Sequence, residues 1–93
     1  MAKIITYDLC KPETSQDYKT LIAEIQKFDR WCRVIESCWV INTSLTCAQV
    51  RDYLRQFIDG NDKLFVAALT GETAWTKVKC KEDYLKVSLG KPG

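Results

Sequence analysis

Asp8 stands out among the residues that could do chemistry, because it directly follows the short apolar run Ile4–Tyr7. A carboxylate at a strand end is held rigidly, and its oxygens suit a hard cation such as Mg²⁺ or Mn²⁺. Since one carboxylate is a weak metal site, such a site needs a second chain that brings its own Asp8 nearby. Alternatively, Asp8 caps the following loop or accepts hydrogen bonds from backbone N–H groups. Asp8 is thus the candidate metal ligand and catalytic residue.

Other side chains limit the reactions and ligands that this chain could support. The chain has no histidine, which excludes Ser-His and Cys-His nucleophile pairs, so any hydrolysis has to use metal-activated water. Ser37, between two predicted strands, either orients a phosphate or forms a turn. The three tryptophans could stack on nucleic-acid bases, although aromatic residues in a small domain more often belong to a core or an interface.

Five cysteines are irregularly spaced, and none forms a C-x-x-C pair. This odd number, without a signal peptide, predicts reduced thiols rather than a disulfide framework. Cys38 and Cys47 lie in apolar patterns and are predicted to pack in the interior, whereas Cys10 is predicted to be exposed. A structural zinc site is disfavoured, because its ligands would have to come from scattered cysteines.

Length and composition indicate one small globular domain. The chain has 93 residues, of which 46% are hydrophobic and 28% charged. No apolar run approaches the roughly 18–20 residues that span a bilayer, and the first residues lack a signal-peptide core. We therefore predict a cytoplasmic protein that does not associate with membranes.

The apolar pattern predicts the element order β-α-β-β-α-β, the split βαβ arrangement of ferredoxin-like α+β domains. The predicted strands are short apolar runs at Ile4–Tyr7, Trp31–Glu36, Cys38–Ile41 and Leu64–Leu69. The predicted helices carry apolar residues at helical spacing, namely Tyr18, Leu21, Ile22, Ile25 and Phe28 in the first, and Val50, Tyr53, Leu54, Phe57 and Ile58 in the second.

Helix-terminal residues support this assignment. Thr14-x-x-Asp17 predicts the start of the first helix, and the capping box from Thr46 to Gln49 predicts the start of the second. Gly60 is predicted to end the second helix as a left-handed cap. Residues 1–70 thus form the predicted core. Residues 71–93 form an apolar extension, predicted to add a strand or short helix that packs on the sheet or on a dimer partner.

Three stretches carry a resemblance to a known family: Thr6-Tyr7-Asp8-Leu9, Glu36–Thr43 and Gly60–Leu64. They resemble the small bacterial and phage proteins called SinR-like, which are relatives of the CRISPR adaptation protein Cas-two. The resemblance covers about residues 2–70. It implies a ferredoxin-like protomer in a symmetric homodimer, with a tail that can pair with the other subunit's sheet.

The resemblance also implies a function in nucleic-acid metabolism. Some Cas-two-like proteins are metal-dependent nucleases that use the aspartate corresponding to Asp8, and others are nucleic-acid-binding scaffolds. We take Lys11, Arg33 and Ser37 as candidate nucleic-acid-binding residues. The family's charged residues after the aspartate are replaced here by Leu9-Cys10-Lys11-Pro12, and Val40 stands in the region of a frequent glutamate. These departures predict weak or lost cleavage.

Two functions follow as hypotheses. The first is a dimeric nucleic-acid-associated domain with a metal-dependent phosphodiesterase site at paired Asp8 residues, which would use Mg²⁺ or Mn²⁺. The second is a non-catalytic phage or mobile-element protein that binds and modulates a host protein complex. Small size, three tryptophans and the incomplete site favour the second, because aromatic anchors supply much of the energy of an interface.

Overall fold

The computed structural model describes residues 1–11, 18–70, 72–80 and 85. Its elements follow the predicted order, which confirms a small α+β fold with four strands and two helices. Their bounds are β1 Ala2–Asp8, α1 Lys19–Ile25, β2 Asp29–Ile35, β3 Cys38–Asn42, α2 Cys47–Arg55 and β4 Lys63–Ala68. Neither described helix has the length and apolar character needed to cross a membrane.

The four strands form one antiparallel sheet in the order β2-β3-β1-β4. Ile5 of β1 lies opposite Trp39 of β3 on one side and opposite Val66 of β4 on the other. The first four residues of β3 are all buried, as expected for a continuous apolar run in an inner strand. The ladder also sets which side chains share a face.

One face of the sheet, which we call the helix face, carries the main core. Alternation along the strands places Ile5 and Tyr7 of β1 on this face together with Trp39 and Ile41 of β3. They pack against buried helix residues, which are Leu21 and Ile25 of α1 and Val50 and Leu54 of α2. The predicted apolar faces of the helices are thus confirmed at these four residues. Phe28, Phe57 and Ile58 pack against the core from beyond the helix ends, and Tyr53 is 38% exposed.

The opposite face of the sheet, which we call the open face, is covered over part of its area. Ala2, Cys32 and Val40 on this face form a second cluster with Leu85, and Trp75 and Val78 pack against it. The described residues 72–80 form neither a strand nor a helix, and most of 81–93 lies outside the described residues. The described part of the C-terminal extension thus packs on the open face around this cluster.

A disulfide joins Cys32 of β2 to Cys80 of that extension, with the two Cα atoms 6.0 Å apart. The prediction that all five cysteines are reduced is therefore wrong. Spacing along the chain gave no indication of this pair, because the two residues are 48 positions apart and meet only when the extension folds back over the open face. Cys10, Cys38 and Cys47 remain free thiols, with Cys10 exposed and Cys38 buried as predicted.

The helix ends differ in part from their predictions. The capping box of α2 is confirmed by two hydrogen bonds, from the Gln49 N–H to Thr46 Oγ1 and from the Thr46 N–H to Gln49 Oε1. The left-handed cap at Gly60 is wrong, because α2 already ends at Arg55 and Gln56 caps it in right-handed helical conformation. The predicted start at Thr14-x-x-Asp17 lies outside the described residues.

Candidate functional site at the end of β1

Asp8 lies at the end of β1 on the open face, because it shares the alternation of Ile4 and Thr6. It is exposed and lies directly opposite Lys63 of β4 in the ladder. Within the described part of the chain, its carboxylate makes no hydrogen bond or ion pair. Residues 12–17 of the following loop lie outside the described residues, so the alternative that Asp8 caps this loop stays a prediction.

A hollow of about 230 Å³ adjoins this carboxylate, and we call it the Asp8 hollow. Its lining includes three candidate residues from the sequence, Asp8, Lys11 and Ser37, together with Glu36. The Tyr7 N–H donates to the Ser37 carbonyl over 3.1 Å, which holds the turn between β2 and β3 against the end of β1. Residues far apart in the chain are thus brought together at one corner of the sheet.

Charged partners surround the Asp8 hollow. Lys79 of the extension donates from its ammonium to Glu36 Oε1 over 2.5 Å, and this hydrogen bond lowers the pKa of Glu36 below its usual value. Lys11 forms an ion pair with Asp59 at 3.4 Å. The Asp8 and Glu36 carboxylates and the Lys11 ammonium therefore line the hollow, with Asp59 and Lys79 paired to them, an arrangement suited to a phosphate with a divalent cation.

The ligand types at this corner suit a metal ion, but one chain supplies few of them. Asp8, Glu36 and Ser37 all offer oxygen, the ligand atom that Mg²⁺ and Mn²⁺ prefer. Among the described residues, Asp8 belongs to no group of three His, Cys, Asp or Glu side chains whose ligand atoms lie within 4.8 Å of one another. The acidic and sulfur side chains of the described residues therefore do not form a metal site at Asp8 by themselves.

Such a group of three does exist nearby, formed by Cys10, Asp59 and Asp62. Its geometry is explained by hydrogen bonds, because Asp62 Oδ1 accepts from the Cys10 N–H and Asp62 Oδ2 accepts from the Asp59 N–H, both over 2.7 Å. The buried Tyr18 also donates its hydroxyl to Asp62 over 3.0 Å. Asp62 thus anchors the loop after β1 to the loop before β4, and Lys11 stands on the first of these loops.

The pKa values of Asp62 and Tyr18 follow from their contacts. Burial acts to raise the pKa of Asp62, but the hydrogen bonds from Cys10, Asp59 and Tyr18 outweigh it and lower that pKa to about 2. Burial, followed by the hydrogen bonds with Cys10 and Asp62, raises the pKa of Tyr18. Asp62 is therefore ionised, and Tyr18 remains a hydrogen-bond donor, across the neutral range.

Asp62→Asn is expected to destabilise the fold by about 1–3 kcal/mol, because charge-assisted hydrogen bonds are replaced by weaker ones. Since the folded pKa of Asp62 lies below its ordinary value of 3.8, its contribution is present above about pH 4 and is lost as the pH falls towards about 2. Urea unfolding of both proteins from neutral to acidic pH should show the difference shrinking with acid. Asp52→Asn, at an exposed surface pair, is the control, and an equal loss in it would contradict the assignment.

Arg33, the fourth candidate, lies outside the Asp8 hollow. Its guanidinium donates through Nε and Nη2 to the Glu36 carbonyl, over 3.1 and 2.6 Å, and lies 5.0 Å from the ring centre of Trp39. Arg33 is therefore connected to the hollow through Glu36. Sequence reasoning missed Glu36 as a site residue, although its place beside Ser37 was a usable signal. It also missed the anchoring role of Asp62.

No protein-family model matches this chain.

Proposed function

We propose that this chain is a ferredoxin-like, dimeric nucleic-acid-associated protein of the Cas-two-like kind, with weak metal-dependent phosphodiesterase activity at Asp8. The strand order β2-β3-β1-β4 is compatible with the ferredoxin-like part of this proposal. The observation that carries the functional part is the Asp8 hollow, where Asp8, Lys11 and Ser37 converge from three separate segments.

The side chains of the hollow divide into two roles. Lys11 carries a positive charge and Ser37 a hydroxyl, and both can hold phosphate oxygens of a nucleic-acid backbone. Asp8 and Glu36 offer carboxylates that can hold a divalent cation against the same phosphate. A bound Mg²⁺ or Mn²⁺ would supply an activated water, which this chain has no histidine to generate. Asp8 positions that cation, and Lys11 orients the phosphodiester.

A second copy of the chain would complete the site through the exposed apolar side chains of the open face. Phe65 on this face is 62% exposed, and Ile35, opposite Cys38 in the ladder, is 56% exposed. Phe65 is adjacent to the Asp8–Lys63 pair, because it lies opposite Thr6. A two-fold axis near Phe65 would bury this aromatic side chain and place the two Asp8 carboxylates close to each other.

Asp8→Asn is expected to lower cleavage of single-stranded RNA or DNA by roughly two orders of magnitude, because the amide cannot replace the charge of a cation-binding carboxylate. Cleavage is measured with Mg²⁺, with Mn²⁺ and with a chelator. Asp29→Asn, at the opposite end of the sheet, is the matched control and should cleave like the unmodified protein. Equal cleavage by Asp8→Asn and the unmodified protein would show a contaminating nuclease and overturn the catalytic proposal.

Light scattering on the same preparations tests the dimer. The unmodified protein should have the mass of two chains, and Phe65→Glu should have the mass of one, because it buries a charge in the proposed interface. A monomeric unmodified protein at micromolar concentration would contradict the paired Asp8 site.

The exposed Phe65 also favours a second function, that of a non-catalytic phage or mobile-element protein which binds a host complex. An aromatic side chain that is 62% exposed can anchor a partner protein as well as a second copy. Under this alternative the chain is monomeric, cleaves no nucleic acid and forms a stoichiometric complex with one host protein. Phe65→Glu should then abolish the complex, and Asp8→Asn should leave it intact.

A further inference from the structure

A second hollow, of about 330 Å³, lies at the β2 edge of the sheet, and we call it the Trp31 hollow. Its lining residues come from β2 and from the C-terminal extension: Trp31, Cys32, Arg33, Lys79 and Cys80. This volume is at the lower end of the roughly 300–1,000 Å³ of small-molecule sites, which suits one nucleotide rather than a larger ligand. The walls combine an aromatic ring, two cations and the disulfide.

The aromatic part of this hollow is held in place from behind. Trp31 packs against the fully buried Trp39 with ring centres 5.6 Å apart, and the Arg33 guanidinium lies near Trp39 at 5.0 Å from its ring centre. An indole ring and a guanidinium plane are both surfaces on which a nucleic-acid base stacks. Because Trp39 fixes both, the stacking surface is formed before a ligand arrives.

The charged part of the hollow is adapted to an anion. Lys79 is held near Glu36 by its ion pair at 2.5 Å, and Arg33 Nη2 lies 3.8 Å from the other Glu36 carboxylate oxygen. The Glu36 side chain is 78% exposed, so a phosphate can approach the same two cations from solvent. Glu36 also lines the Asp8 hollow. The Glu36 carboxylate thus lines the Asp8 hollow and is paired with the two cations of the Trp31 hollow.

The position of Lys79 depends on the disulfide. Lys79 immediately precedes Cys80, which is bonded to Cys32 on β2, and the Lys79 N–H donates to the Val34 carbonyl over 2.9 Å. Residues 72–80 have no helix or strand of their own, so their placement rests on such contacts and on apolar packing. Segments of this kind are the first to open when a constraint is removed.

We propose that the Trp31 hollow binds one nucleotide of a single-stranded nucleic acid, and that it does so only while the Cys32–Cys80 disulfide is intact. The base stacks on Trp31, and Lys79 and Arg33 bind its phosphate in place of Glu36. A dithiol reductant transfers two electrons and two protons, which leaves two cysteine thiols here and a disulfide in the reductant. Lys79 then separates from Arg33, and the site is lost. This inference rests on the proposed association with nucleic acid and adds a redox-controlled subsite to it.

The test measures fluorescence anisotropy of a short single-stranded oligothymidylate and of the matching oligouridylate, at low salt and with a chelator so that no cleavage occurs. Lys79→Ala and Trp31→Leu are each expected to weaken binding to the oxidised protein about five- to tenfold, from loss of a phosphate contact and of base stacking respectively. Lys19→Ala, an equal change of charge on α1, should change binding less than about twofold. Dithiothreitol should weaken oligonucleotide binding by the unmodified protein as much as Lys79→Ala does. It should not weaken binding by the Lys79→Ala variant any further.

The outcomes separate this inference from the proposed function. If Lys11→Ala weakens binding while Lys79→Ala and Trp31→Leu bind normally, the Trp31 hollow is not a nucleotide site, although the Asp8 hollow still contacts nucleic acid. Equal binding by oxidised and reduced protein, with far-ultraviolet circular dichroism unchanged, would overturn the redox control. If the oxidised protein binds neither strand, both the inference and the nucleic-acid proposal fail. Preference for one oligonucleotide would identify RNA or DNA as the ligand.

Discussion

Cys80→Ser is expected to lower the free energy of unfolding by about 4 kcal/mol, because the disulfide no longer restricts the unfolded chain. The bridge joins residues 48 positions apart, and closing a loop of that length removes substantial conformational entropy from the unfolded state. Urea unfolding followed by circular dichroism measures the change. Reduction of the unmodified protein with dithiothreitol should give the same midpoint as Cys80→Ser, since both remove the same covalent bond.

An effect of this size matters because the domain is small. A chain of this length buries only roughly 60–65% of the surface that its unfolded form exposes, and domains are stable by only about 5–15 kcal/mol. The open-face cluster of Ala2, Cys32, Val40 and Leu85 also relies on the extension to exclude water. Loss of the disulfide should therefore loosen this cluster before the helix-face core.

Two controls accompany this prediction. Cys47→Ser changes a free, partly buried thiol at the start of α2 and should lower the free energy of unfolding by no more than about 1 kcal/mol, because no disulfide is lost. Thiol titration of the oxidised protein in denaturant should detect three thiols, those of Cys10, Cys38 and Cys47. Detection of five thiols under oxidising conditions would contradict the disulfide, and the expected loss of stability with it.

Much of the fold follows from local patterns. The strands were predicted from short apolar runs, and the start of α2 from Thr46 and Gln49, because these signals depend on neighbouring residues alone. The end of α2 differs from its prediction. After Arg55 the chain runs through turns closed by short-range hydrogen bonds, such as the one from the Asp59 N–H to Asp62, and Gln56 caps the helix in right-handed conformation before Gly60 is reached.

One part of the candidate site could be predicted from the sequence, because the ends of neighbouring strands meet at one edge of a sheet. Asp8 and Ser37 come together because β1 pairs with β3, which the predicted element order implies. The contacts of Lys79 with Glu36 and of Cys80 with Cys32 were not predictable in this way. They depend on how the extension folds back over the open face, and no local signal fixes that path.

Trp39 belongs to the core on the helix face and also packs against two residues of the proposed nucleotide site. It is fully buried in the inner strand β3, and its indole N–H donates to the Tyr7 hydroxyl over 2.9 Å inside the core. Trp31 and Arg33 both pack against it. One side chain therefore fills the centre of the core, satisfies a buried polar group and supports the stacking surface.

Trp39→Ala is expected to cost about 3–5 kcal/mol, because it removes a large buried side chain and leaves a cavity, and the hydrogen bond from the indole N–H to the Tyr7 hydroxyl is also lost. Trp39→Phe should cost less, since the smaller ring keeps much of the packing and loses the hydrogen bond. Urea unfolding measures both, and Leu45→Ala, at a residue that is 39% exposed, is the control. If Trp39→Ala cost no more than Leu45→Ala, Trp39 would not lie at the centre of the core. Trp39 would then also not be the rigid support that holds Trp31 and Arg33 in place.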